Sequence, residues 1–456
     1  MDGPQSETVK HAGRACTDFF PLEALLKRRE FTRNTLLGLG GALLPDSTSF
    51  LNAAADVVHG KDRLHPMAYD QLGAGAASPR PADWKVDLIS EKEIIRGWWY
   101  PGALFFPDGT IVCSMSAGDG KSRLTMYSLD QGSTWKQKDV IESKSGEYRD
   151  TLGSGCYKQL SDGSLIGVMF HSVVQELVAT LHQSYQPFIA HVRRAKSPKD
   201  LIDGNYVDDF AKVTIPDLAP GFGDDGKSYT GSVDHSIVEL ANGDLLMMMY
   251  GSFHEDNIPI PYFHHGTMQY RTWVCISKDR GNSWSFLATV ASPEASPLPK
   301  LAEGYCEPDL LSVGDKDLLA VMRSGGHPGP GGSMDYYTPL YANFSHDNGR
   351  TWTEPSPIYK YGVWPRLLKM KNGTIVCESG RPGIFLLFSR DNGKTWSDPF
   401  VISSMNGRWG HCPSGYNSIA EVEPGVLAII YDTFESDSAG NSSHVVKMAR
   451  YNIRVR

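Results

Sequence analysis

The sequence predicts an all-β protein, a six-bladed β-propeller, because two short repeats run along it in phase. The first repeat is a hairpin: an apolar strand, a tight turn and a second apolar strand. It occurs at Ala103-Leu104-Phe105-Phe106 / Asp108-Gly109 / Ile111-Val112-Cys113, then around Asp162-Gly163 and Asn242-Gly243. A weaker copy turns at Asp315-Lys316, and the last two turn at Asn372-Gly373 and Pro424-Gly425. Asp-Gly and Asn-Gly suit two-residue hairpin loops in which both central residues take positive φ. A spacing of roughly 50–80 residues is too wide for a simple sandwich and fits blades of four strands each.

The second repeat is S-x-D-x-G-x-[ST]-W. It reads Ser128 to Trp135, Ser277 to Trp284, Ser345 to Trp352 and Ser389 to Trp396. The Asp carboxylate can cap backbone N–H groups within a turn, Gly supplies positive φ, and Trp anchors the turn on its blade. Four copies in phase with the hairpins are a specific signal. The stretch Arg194-Ala195-Lys196-Ser197-Pro198, where the second blade would carry its copy, has lost the pattern.

Composition narrows the functional classes. Of 456 residues, 41% are apolar and 21% charged, which is the balance of a globular protein and not of a fibrous or disordered one. No run approaches the ~20 apolar residues of a membrane helix. The net charge of -8 lacks a basic stripe and argues against a nucleic-acid partner. None of the seven cysteines forms a CxxC pair, and Cys113 and Cys377 sit in apolar strand patterns expected to bury free thiols. An inter-blade disulfide stays open at this stage. Neither a metal nor a cofactor is expected, since His254-Glu255-Asp256 and His264-His265 match no ligand spacing. The Gly-rich run from Gly325 to Gly332 is read as a rim or lid.

The first 83 residues differ in kind. Arg28-Arg29, Phe31 and the short apolar run Leu36 to Leu44 resemble a twin-arginine export signal, followed by Ala53-Ala54-Ala55 and a small-residue linker. The folded domain is expected over 84–456, in an exported bacterial protein, with the last strand near Val445–Ile453 beside the opening strand. Closing the ring this way removes sheet edges.

The S-x-D-x-G-x-[ST]-W copies are similar to the Asp boxes of the sialidase (neuraminidase) superfamily, and from about Trp84 onward the chain resembles a sialidase-type propeller. In a four-stranded blade the Gly turns and the boxes share one face. The boxes are therefore expected to be structural, and ligands are expected on the other face.

Strand ends on that other face collect ionisable residues around the central channel. They are Tyr100 and Asp119, Tyr157 and His171, Asp234, His235 and His254, Glu307 and Arg323, Arg366 and Arg381, and His411, Tyr416 and Asp432. Several arginines converging in an acidic protein suggest an anionic ligand. Residue by residue, Glu307 and Arg323 resemble the family's Glu and second triad Arg. Arg381 resembles the third Arg, Tyr416 the nucleophile, and Tyr431-Asp432 the family's blade-closing pair. Asp119 takes the acid/base role by position, while Arg366, Tyr100, His235 and His171 are expected to bind substrate.

The resemblance implies a retaining glycosidase acting on a terminal sialic acid or related acidic sugar of a glycan. A neutral Tyr activated by Glu avoids repulsion from a carboxylate at the anomeric carbon. One departure bears on the substrate: the family's first triad Arg lies just before a Pro, as Arg-Ile-Pro, and here the corresponding stretch is Trp99-Tyr100-Pro101, with no Arg. That leaves Arg96 upstream and Arg366 on blade five as out-of-pattern substitutes. Two other classes use such a scaffold: polysaccharide lyases employing His, Tyr and Arg on uronic acids, and non-catalytic carbohydrate-binding propellers.

Overall fold

A computed structural model describes residues 83–117, 122–142, 156–169, 187–215, 221–222, 228–229, 237–253, 255–260, 268–298, 302–325, 339–381, 383–404 and 411–456. The expected export signal and linker lie outside these residues. The chain opens with strand β1 (Trp84–Arg96). Blade one follows as β2 (Trp98–Phe105), β3 (Ile111–Ala117), β4 (Ser122–Ser128) and β5 (Lys136–Glu142). Blade two has β6 (Cys156–Gln159), β7 (Leu165–Met169) and β8 (Pro187–Ala195), then a short helix α1 (Pro198–Asp203) and β9 (Tyr206–Thr214). A two-residue pair, β10 (Gly221–Phe222) and β11 (Ser228–Tyr229), precedes blade three: β12 (Ile237–Glu239), β13 (Leu245–Gly251), β14 (Arg271–Ser277) and β15 (Ser283–Ala291). Blade four comprises β16 (Cys306–Ser312), β17 (Leu318–Arg323), β18 (Leu340–Ser345) and β19 (Ser356–Tyr359). Blade five comprises β20 (Val363–Lys369), β21 (Ile375–Gly380), β22 (Ile384–Ser389) and β23 (Phe400–Ser403). Blade six has β24 (Ser418–Glu423), β25 (Val426–Ser436) and β26 (Ser442–Val455), and β1 returns as its outer strand.

Blades one, four, five and six are separate four-stranded sheets, and blades two and three share one sheet through a parallel β9–β15 contact. From β6 through β12, β16, β20 and β24 to β2, the first strands of successive blades pack against one another around the axis. Six apolar clusters fill the six seams, from Phe106, Val112 and Leu165 between blades one and two to Ala428, Ile430 and Cys113 between six and one. Middle strands such as β17, β21 and β22 are buried on both faces, which is why they read as continuous apolar runs. Along β21, Ile375 and Cys377 serve the seam with blade four while Val376 serves that with blade six, the period of two expected of a strand. Cys113, Cys275, Cys306, Cys377 and Cys412 are buried free thiols.

The hairpin turns differ from expectation in one respect. Gly109, Gly163, Gly243 and Gly373 have φ of 84–88°, yet Asp108, Asp162, Asn242 and Asn372 are not in the positive-φ region. Each turn is a three-residue loop. Phe106 N–H bonds Thr110 O and Gly109 N–H bonds Phe106 O, and Leu160, Leu240 and Met370 begin the same pattern. The Asp or Asn side chain accepts the N–H two residues on, at 2.9–3.2 Å, so it caps the turn instead of adopting positive φ itself.

The four S-x-D-x-G-x-[ST]-W segments join the third and fourth strands of blades one, three, four and five, and they share one bond set. The Ser Oγ accepts the Gly N–H at 2.7–2.9 Å, and the Asp carboxylate accepts both the N–H and the hydroxyl of the Ser or Thr. They lie beside the hairpin turns: Gln131 N–H bonds Gly109 O, and Asn348 N–H bonds Lys316 O. In blade two, α1 stands in this place, capped by Ser197. The Thr134 hydroxyl leads in holding Asp130 down to about 2. In Asp279, Asp347 and Asp391 the hydroxyl and amide bonds outweigh the upward push of burial. A lowered carboxyl contributes stability present above its unfolded pKa and lost as pH falls through the folded one. Asp391→Ala is therefore expected to cost about 1–2 kcal/mol. Thermal melts should show that loss at neutral pH and a smaller one near pH 2, with the site chemistry unchanged; equal melting temperatures at neutral pH would refute it.

Candidate active site

The axial strands β2, β16 and β20 begin with the same device. A residue followed by Pro takes positive φ: Tyr100 at 53°, Glu307 at 45° and Trp364 at 51°. In each case the register with the second strand slips there, between Trp99 and Gly102, Cys306 and Asp309, and Val363 and Arg366. Such bulges re-aim a side chain, and a non-Gly residue held in this region costs of order 1–3 kcal/mol. Three blades thus carry local strain that turns one side chain apiece toward Tyr416, which lies in the loop before β24.

Glu307 is the hub. Its Oε1 accepts the Tyr416 hydroxyl at 2.8 Å and Arg323 Nη1 at 2.5 Å, and its Oε2 accepts the Trp364 backbone N–H at 3.1 Å. Arg323, at the end of β17, also meets Glu303 at 3.3 Å. Arg381, at φ 45° just after β21, donates from Nε to Ser414 O at 2.7 Å and from Nη2 to the Tyr100 hydroxyl at 3.2 Å. Its guanidinium carbon lies 4.9 Å from the centre of the Tyr416 ring. The Tyr100 and Trp364 rings sit 4.9 and 4.4 Å from that of Tyr416, centre to centre. Glu307, Arg323 and Arg381 are buried, whereas Tyr100, Trp364 and Tyr416 are partly exposed. The site presents aromatic rings to solvent with charged groups beneath them.

The electrostatics assign protons. Burial alone would push the Glu307 carboxyl up, but Arg323 beside it, with Tyr416 and Arg381, outweighs this and holds it below its ordinary range. Burial and then the Glu307 charge push the Tyr416 phenol well above its ordinary value, against the pull of both arginines. A protonated phenol therefore donates to an ionised carboxylate, the arrangement of a nucleophile with its base.

The structure brings together Tyr416, Glu307, Arg323, Arg381 and Tyr100 of the residues expected from sequence. Asp119, His171 and His235 lie outside the described residues, as do Asp234 and His254. Arg366 is placed elsewhere: it pairs across the strands with Glu378, while Trp364 enters the cluster. Arg96 pairs with Glu93 at 2.9 Å and supplies no substitute for the missing arginine. Tyr157 lies in the seam between blades one and two, its ring over Gly167 and beside Arg193, and not in the channel. Asp432 turns to Ser414 and His444. Asp256 and Glu255 both bind Arg271, which gives the blade-three insertion a structural use. Among the described residues no group of three His, Cys, Asp or Glu is arranged for a metal ion.

Sequence reasoning missed Trp364 and Glu303. Trp364 had a signal: Tyr100-Pro101, Glu307-Pro308 and Trp364-Pro365 repeat one pattern at three blade entrances.

Residues 223–429 match the BNR repeat-like domain. No curated protein matches the chain. Among solved structures, a protein of unknown function from Dyadobacter fermentans is 16% identical, with 81% of this chain and 99% of that one covered and a TM-score of 0.56. An α-L-arabinofuranosidase of Fusarium graminearum, a mutant form in complex with an iminosugar inhibitor, is 16% identical over 80% and 98%, with a TM-score of 0.50. The NanB sialidase of Streptococcus pneumoniae is 13% identical over 80% and 70%, with a TM-score of 0.45.

Proposed function

We propose that this chain, a BNR-repeat propeller of the sialidase superfamily, is a retaining exo-glycoside hydrolase of sialidase type. One observation carries the reading: the Tyr416 hydroxyl donates to Glu307 Oε1 at 2.8 Å while Arg323 binds the same oxygen. The phenol oxygen attacks the anomeric carbon as its proton passes to Glu307. The C–O bond to the leaving group breaks, and an acid, Asp119 by its sequence position, protonates the departing oxygen. Water then attacks the glycosyl-tyrosine, loses its proton to that same carboxylate, and the phenol regains its proton from Glu307. Arg381, against the face of the Tyr416 ring, offers a cation for a carboxylate on the sugar, with the Tyr100 hydroxyl beside it where the family's first arginine is missing. The favoured substrate is a terminal sialic acid or related acidic sugar.

A second reading rests on Tyr100. With a phenol and no arginine at this opening strand, a neutral glycoside such as an arabinofuranoside becomes a substrate, and the Fusarium arabinofuranosidase has this fold. Glu307 would then attack directly, repelled by no carboxylate on the anomeric carbon. Product mass spectrometry on a panel of sialosides, uronic-acid glycans and arabinofuranosides separates the readings. Water added to a sialoside or related acidic glycoside supports the first, and to an arabinofuranoside the second. An unsaturated uronic product would favour a lyase, and no change on any member a binding propeller.

A further inference from the structure

Beneath Tyr416, on blade five, lies a carboxyl that the proposed chemistry does not use. Glu378, in β21, is wholly buried, and its Oε1 accepts Asn417 Nδ2 at 2.5 Å. Glu378 Oε2 and Asn417 Oδ1 are buried and have no hydrogen-bond partner. Both are acceptors while the carboxyl is ionised, so the pair lacks a donor, and a proton on Glu378 would supply one. Leu386 flanks Glu378 on β22, and across β20 it faces the half-buried Arg366. Burial, then the charges of Glu378 and of Asp309 from β16, push up the Cys377 thiol, and Asp309 accepts the Leu367 N–H at 2.7 Å.

The neighbouring chain is held from both sides. Asp432 accepts the Ser414 N–H and hydroxyl, and Glu378 holds Asn417. Only Gly415 and Tyr416 lie between. Gly380 packs so closely that a Cβ there would fall 2.2 Å from the Gly415 Cα. We propose that Glu378, in its protonated form, is a positioning residue that locks Asn417 and thereby sets the Tyr416 ring over Glu307. The inference rests on the reading of Tyr416 as the reacting group.

Burial pushes the Glu378 carboxyl up to about 8, against the pull of the Asn417 bond and of Arg366. A carboxyl raised in the fold keeps a proton that the unfolded chain has lost, so its contribution is full below the unfolded pKa and fades as pH rises toward the folded one. Above that, an ionised Glu378 has no donor for its second oxygen and the clamp on Asn417 loosens.

The test compares wild type, Glu378→Gln and Glu378→Ala from about pH 5 to about pH 9. Gln carries a permanent amide donor and should keep the clamp at all pH values. The melting temperature of the Gln variant should gain on wild type as pH rises to about 8. The resonance of [13Cζ]tyrosine at 416, assigned by its loss in Tyr416→Phe, should shift in wild type with a midpoint near 8 and stay fixed in the Gln variant. In the Ala variant it should sit at the displaced position throughout. If the enzyme turns over, kcat should show an alkaline limb in wild type that the Gln variant lacks. A resonance that never moves, or moves alike in wild type and the Gln variant, overturns the proposal whatever the activity. Should no glycoside be cleaved while the resonance behaves as stated, the hydrolase reading fails and the clamp stands.

Discussion

Tyr416→Phe removes one oxygen and is expected to lower kcat by roughly a thousandfold or more while changing ligand affinity little. The ring faces that touch Trp364, Tyr100 and Arg381 survive the substitution, so binding contacts persist. What disappears is the donor to Glu307, which is also the atom proposed to form the covalent bond. A 2-fluoro acidic sugar with a good leaving group should label Tyr416 in wild type, and peptide mapping would locate the adduct. An active enzyme labelled at Glu307 would move the neutral-sugar reading ahead, and wild-type turnover by the Phe variant would end the tyrosine mechanism.

Arg323→Ala has the largest expected effect on stability. Arg323 is buried between Glu307 and Glu303, and its removal leaves two carboxylates without their cation. Breaking a buried pair in this way costs about 3–5 kcal/mol. The pH response identifies the cause. In wild type the Glu307 pKa is lowered, so its contribution is present above the unfolded pKa and lost as pH falls through the folded one. Without Arg323, burial dominates and the same group is raised, so the variant should become more stable relative to wild type as pH falls. Arg381→Ala, which leaves Glu307 its direct pair with Arg323, should chiefly weaken ligand binding. Denaturant midpoints at pH 7 and pH 4.5 would separate the two, and equal losses at both values for Arg323→Ala would refute the account.

Much of this was legible because strand patterning and turn chemistry are local. The Gly turns marked the hairpins, and the box residues marked the turns between third and fourth strands. That Tyr416, Glu307 and Arg323 gather at one face followed from where the strands end, and their pairing from the resemblance to sialidases. The sequence did not reveal what happens at the X-Pro bulges. A bulge shifts the alternation of faces, so counting along β20 puts Arg366 in the channel when Trp364 is the residue that enters. Tyr157 misled for a related reason: Gly167 opposite leaves room for its ring to lie across the sheet toward Arg193. Glu378 gave no signal, since an acidic residue between Cys377 and Ser379 looks like any strand residue until its partner, 39 positions away, is known.

The pairing of β1 with β26 has a topological consequence. Trp84 stands opposite Val455, and Arg456 N–H bonds Asp83 O at 2.9 Å, so the first and last described residues of the chain touch. The described propeller is in effect a circle cut at the edge of blade six. Its blades have a sequence along the chain but no first member around the axis, and the cut could fall at any exposed hairpin turn. Joining residues 83 and 456 and opening the chain at Asn372-Gly373 would leave every seam intact and the tyrosine–glutamate pair undisturbed. What the present cut does impose is an order of events: blade six, which carries Tyr416, cannot gain its outer strand until the two ends have found each other.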